Sequence, residues 1–122
     1  MSRMRLAISL DCDDPEPLST FWAELLDGEV TATSGHHAVV TVDPTLLLVA
    51  MHVENYVRPT WPQGTIPKQG HIDVEVDDLP QAEKRALSLG AVRAEAQAAP
   101  EHFLVLFDPA GHPFCLSTAF PD

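Results

Sequence analysis

The second half of the sequence retraces the first at a spacing of 64 or 65 residues, and a chain built this way folds as two copies of one unit. His37-Ala-Val-Val-Thr-Val-Asp-Pro44 matches His102-Phe-Leu-Val-Leu-Phe-Asp-Pro109, and Asp13-Asp14 falls over Asp77-Asp78. The first unit opens at Arg5 to Cys12, where Ile8, Leu10 and Cys12 alternate with Ala7, Ser9 and Asp11 in the period of a strand. Asp14 and Pro15 then supply an N-cap and a first-turn proline. Leu18, Phe21, Trp22, Leu25 and Leu26 recur at helical spacing until Gly28, which predicts a helix over about Pro15 to Leu26. Strand-like runs follow at about Glu29 to Thr33, His37 to Val42 and Leu46 to Val53, broken by Ser34-Gly35 and Asp43-Pro44.

The second unit repeats the order. His71 to Val76 alternates, Asp78 with Gln81 resembles a capping box, and Leu79, Ala82, Ala86 and Leu87 form the apolar stripe of a helix ending before Gly90. Strands are expected at about Ala91 to Ala96, His102 to Phe107 and Pro113 to Thr118. The repeat implies a two-residue difference in helix length, recovered in the loops. The reading is one α+β domain over residues 1–122: module 1 about 4–53, a linker about 54–69, and module 2 about 70–119. Pro59, Pro62 and Pro67 exclude a helix or central strand from the linker, which reads as a crossover, or as a flap carrying Tyr56 and Trp61.

Charge narrows the partners. Eighteen acidic residues against seven basic give a formal charge of −11, which repels phosphate backbones and anionic membranes, so neither nucleic acid nor membrane is expected. No apolar run reaches the roughly 20 residues of a membrane span. Met1 to Leu10 does not read as a signal peptide, and two cysteines, Cys12 and Cys115, fit a reducing compartment. A cytoplasmic location is the expectation.

Strand alternation divides the candidate site residues. With Ile8, Leu10 and Cys12 under the helix, Ala7, Ser9 and Asp11 take the other face, and the same parity sets His71, Asp73 and Glu75 opposite Ile72, Val74 and Val76. Cys115 and Ser117 join that polar face if Phe114 and Leu116 pack under the helix.

Several segments resemble the glyoxalase-like domains of the vicinal oxygen chelate superfamily, which includes bleomycin resistance proteins and dioxygenases. They are Phe21-Trp22-Ala-Glu-Leu-Leu after Asp-Asp-Pro, Pro59-Thr-Trp61-Pro62-Gln-Gly, Pro67-Lys-Gln-Gly-His71-Ile-Asp-Val-Glu-Val-Asp-Asp-Leu79, Leu89-Gly-Ala-Val92 and Asp108-Pro-Ala-Gly-His-Pro-Phe-Cys115. The resemblance implies two βαβββ modules curving a mixed sheet around a cleft, a small-molecule ligand and a homodimer. It also implies, in metal-dependent members, a ligand on the first and fourth strands of each module.

Carried over at the 64-residue spacing, those places are Ala7, Met51, His71 and Cys115. Alanine offers no ligand and a thioether suits hard cations poorly, so only His71 and Cys115 could coordinate well, and no tightly bound catalytic metal is expected. Without a metal, His71 is the candidate general base or hydrogen-bond donor. The expected ligand-binding cleft comprises Ala7, Ser9, Met51, Trp61, His71, Asp73 and Cys115. Three functions follow: binding or transforming a small organic molecule without the usual divalent metal; a metal-dependent lyase, isomerase or dioxygenase; or a non-catalytic interaction module.

Overall fold

The computed structural model describes residues 5–60 and 71–120. These divide into two compact units that meet in sequence at Tyr56 and Val57. Each unit is a βαβββ module with its own mixed four-stranded sheet.

In the first unit the elements are β1 (Leu6–Cys12), α1 (Pro15–Leu25), β2 (Glu29–Thr33), β3 (His37–Asp43) and β4 (Leu46–His52). Their sheet order is β1-β4-β3-β2, with β1 parallel to β4 and the other pairs antiparallel. The Asp14 side chain accepts from Glu16 N at 3.1 Å, satisfying one of the amides a helix start leaves unpaired. Leu18, Phe21 and Trp22 are at most 2% exposed, and complete burial of each contributes ~1.5–3 kcal/mol. The Phe21 and Trp22 rings meet edge to face at 5.3 Å. The helix ends one residue earlier than the spacing predicts. Asp27, not Gly28, takes the left-handed conformation (φ 54), and Gly28 N donates back to Ala23 O at 2.8 Å. Glycine is needed at 28 for a different reason: a Cβ there would stand 2.7 Å from the Thr41 carbonyl oxygen of β3.

The second unit has β5 (Ile72–Glu75), α2 (Leu79–Leu89), β6 (Val92–Arg93), β7 (Phe103–Phe107) and β8 (Pro113–Ser117), in sheet order β5-β8-β7-β6. Asp78 caps α2 through Gln81 N at 3.1 Å, and Gly90 closes it at φ 117. Leu79 and Ala86 are buried as the stripe requires, whereas Leu87 is exposed. Strand β6 is far shorter than expected because Gln97 takes over its ladder. The Gln97 amide donates to Ala94 O (2.8 Å) and Val105 O (2.9 Å), and its oxygen accepts from Val105 N (3.0 Å). Arg58, from the expected linker, belongs to this unit, donating to Pro109 O at 2.6 Å.

The helices are both 11 residues long, so the expected length difference lies elsewhere. They are related by 64 residues, as are their caps Asp14 and Asp78. After the helices the offset becomes 66: His37 pairs with Met51 as Phe103 pairs with Ser117, and His52 N donates to His36 O as Thr118 N does to His102 O. Burial agrees, since Ala38, Val40, Leu48 and Ala50 are buried like Leu104, Leu106, Phe114 and Leu116. The letter match at 65 is therefore a coincidence of composition, because a one-residue slip would turn every side chain to the opposite face. Two residues are inserted between α2 and β7 instead.

Candidate functional site

Sequence parity assigned the faces of the second sheet correctly. Phe114 (0% exposed) and Leu116 (1%) lie on the buried face, and α2 packs against β7 and β8. That turns Cys115 and Ser117 to the other side. Across the parallel β5–β8 ladder Asp73 stands opposite Cys115, and Glu75 opposite Ser117. His71, immediately before β5, shares the parity of Asp73, and its Nε2 lies 3.3 Å from Asp73 Oδ1. One donor atom each from His71, Asp73 and Cys115 lies within 4.8 Å of the other two.

This trio forms the polar corner of a cavity of about 620 Å³ on the open face of the second sheet. Ala98, Phe103, Val105, Pro113 and Phe120 supply its apolar walls, with Ser117 beside the corner. Cys115 is 8% exposed and packs in a small core with Ala94 and Val105. His71 and Asp73 keep 36% and 51% of their side-chain surface. No lysine or arginine lines this cavity among the described residues. It therefore suits a molecule with an apolar body and a neutral or cationic polar end.

The donor set also bears on the metal question that the resemblance raises. Sequence spacing gave two competent donors; the ladder adds Asp73, because a residue two positions from His71 returns to the same strand face. A thiol, an imidazole and a carboxylate together fit a borderline or soft divalent ion and fit manganese or magnesium poorly.

Most of the other candidate residues belong to the first unit. Ala7 and Ser9 are exposed on β1, where they pair with Leu47 and Val49. Met51 is half-buried and pairs with Asp11, so the ladder place matching Cys115 is held by Val49, while Met51 matches Ser117. The correspondence between Met51 and Cys115 fails because the offset there is 66, not 64. Trp61 lies outside the described residues. Asp11, Asp73 and Glu75 are all exposed. Cys12 is 1% exposed, with its thiol 3.5 Å from Met51 O, in keeping with a packing role. His36 and His37 sit at a turn: Ser34 Oγ accepts from both backbone amides, at 3.1 and 3.2 Å, and meets His37 Nδ1 at 2.9 Å. Sequence reasoning missed Phe103, Val105 and Phe120 as cavity walls, although the face parity that found Cys115 also selects Phe103 and Val105 on the neighbouring strand.

A family profile described as a glyoxalase-like domain matches residues 7–117. No curated protein matches the sequence. Among solved structures, the fosfomycin resistance protein FosX from Mesorhizobium loti is similar at TM-score 0.70 and 15% identity, covering 98% of this chain and 94% of its own. A possible glyoxalase from Bacillus cereus is similar at TM-score 0.69 and 14% identity, covering 95% and 99%. A mutant FosX from Listeria monocytogenes, complexed with Mn(II) and 1S,2S-dihydroxypropylphosphonic acid, is similar at TM-score 0.67 and 15% identity, covering 98% and 92%. At these identities the likeness is one of fold.

Proposed function

We propose that this chain, which belongs to the glyoxalase-like domain family of the vicinal oxygen chelate superfamily, binds a small organic molecule on the open face of its second module and does so without a hard divalent metal. The observation that carries the reading is the cavity itself: apolar walls ending in one corner where His71, Asp73 and Cys115 converge. Apolar walls give affinity and a few convergent polar groups give orientation, the usual division of labour in small-molecule sites. His71 is the group suited to donate a hydrogen bond to the ligand, or to move a proton if the ligand is turned over.

Fosfomycin-like phosphonates are a poor match. The lining offers a carboxylate and no lysine or arginine among the described residues, and the chain as a whole is strongly anionic. A neutral or cationic drug-like molecule or metabolite suits this field better. A homodimer belongs to the same reading: β1 ends its sheet with Leu6 60% and Ile8 39% exposed, an apolar edge that self-association would cover.

The neutral solvatochromic dye Nile red tests the ligand class. Saturable fluorescence enhancement, weakened in Phe103→Ala and unaffected by fosfomycin, is the expected result. Absence of saturable binding, or displacement of the dye by fosfomycin, would overturn the reading.

A further inference from the structure

We propose that Cys115 is a nucleophile that captures neutral carbon electrophiles of the α,β-unsaturated carbonyl class inside the cavity of the second module. The inference rests on the small-molecule reading above and specifies the reactive group of the ligand.

The two thiols of the chain stand in opposite surroundings. Cys12 is 1% exposed in the first unit, with its thiol 3.5 Å from Met51 O. Cys115 lies on the open face of β8 and lines the cavity of about 620 Å³. At 8% exposure, with Ala94 and Val105 packed beside it, it meets a reagent by way of that cavity. Reactivity is thereby tied to what the apolar walls admit.

A base stands next to the sulfur. One nitrogen of His71 and one carboxylate oxygen of Asp73 each lie within 4.8 Å of it, and His71 Nε2 is 3.3 Å from Asp73 Oδ1. Nucleophile and base act at ~2.6–3.2 Å and commonly stand further apart in an unliganded site. The His71 side chain keeps 36% of its surface, so a torsional change can close the gap. The Asp73 carboxylate stabilises the imidazolium that forms.

Conjugate addition suits this set because it needs neither a leaving group nor an oxidant. The thiol proton passes to a His71 nitrogen as the sulfur bonds to the β-carbon. The π pair of the C=C bond moves toward the carbonyl oxygen as an enolate, and the imidazolium then returns the proton to the α-carbon. The product is a thioether that keeps every atom of both partners. Ser117, whose oxygen accepts from Ala119 N at 3.0 Å, can donate its hydroxyl proton to the enolate oxygen. It follows Cys115 by two positions on one strand face, ~6.6 Å along, a span that suits an enone held between sulfur and hydroxyl. Asp73 disfavours an anionic electrophile, while Phe103, Pro113 and Phe120 receive an apolar body.

N-Phenylmaleimide, a neutral apolar electrophile of this class, tests the capture on the native full-length protein by intact mass and peptide mapping. The expected result is one adduct, at Cys115, formed about ten-fold or more faster than any at Cys12, with a rate that saturates in probe concentration. His71→Ala, a change at a part-exposed side chain, lowers the saturated rate about ten-fold or more. Phe103→Ala raises the half-saturating concentration. Modification of Cys12 as fast as Cys115, a rate that stays linear in probe, or a saturated rate unchanged in His71→Ala would overturn the proposal. Nile red binding is read on unreacted protein and involves no bond formation. Dye binding without a Cys115 adduct therefore refutes capture alone, whereas loss of both refutes the reading beneath it.

Discussion

Asp73 and Cys115 face each other across the β5–β8 ladder, with the His71 imidazole 3.3 Å from the Asp73 carboxylate. This relationship gathers three chemically different side chains from two sequence positions near one strand and a third over forty residues away. It also makes the corner of the cavity a property of the backbone pairing.

Replacement of His71 is therefore expected to affect ligand binding far more than folding. The side chain is 36% exposed and its polar neighbour is itself half-exposed, so His71→Ala should change unfolding free energy by no more than ~0.5 kcal/mol. Affinity for a ligand that hydrogen-bonds the imidazole should fall by about ten-fold, equivalent to ~1.4 kcal/mol. Urea unfolding and ligand titration on the same preparation check the two halves. A large loss of stability with unchanged binding would assign His71 a structural role instead.

Glycines 28 and 35 should respond differently to the same mutation. A Cβ at residue 28 meets the Thr41 backbone oxygen at 2.7 Å, whereas at residue 35 nothing lies within 4 Å. Gly28→Ala must push α1 and β3 apart and is expected to cost ~1–3 kcal/mol. Gly35→Ala should stay within ~0.5 kcal/mol of the parent. Thermal unfolding of both variants provides the comparison.

His52 should impose a pH dependence on the first module. Its Nδ1–H donates to the Asp13 carbonyl at 2.7 Å, and Glu54 lies 3.5 Å from Nε2, so its pKa is raised above the ordinary 6.5. The folded state then holds the proton more tightly than the unfolded state. The stabilisation is fully present below about pH 6.5 and is lost as pH rises through the folded value. Imidazole NMR should find His52 titrating later than the free side chain. His52→Asn should flatten the fall in stability above pH 6.5; an unchanged slope would exclude His52 as its source.

Much of this was legible in the sequence because period and punctuation are local properties. Pro15 after Asp14 placed the first helix to within one residue, and alternation in Ile72 to Val76 assigned the strand faces that bring Asp73 toward Cys115. What local pattern could not reveal was register. His37-Ala-Val-Val and His102-Phe-Leu-Val look superimposable, yet hydrogen bonding pairs His36 with the place of His102, and this displaced the assignment of Met51 by two residues. Nor could it foresee Gln97. A side chain that stands in for strand backbone leaves no periodic trace, and so β6 was expected to be longer.

The ladder correspondence has one more implication. Ala7, Ser9 and Val49 in the first module occupy the backbone places that His71, Asp73 and Cys115 occupy in the second. Every molecule therefore carries its own blank: the same pairing of a parallel first and fourth strand under an 11-residue helix, without the imidazole, carboxylate and thiol. Whatever the second half does chemically can be read against a reference that shares its solvent, its temperature and its chain.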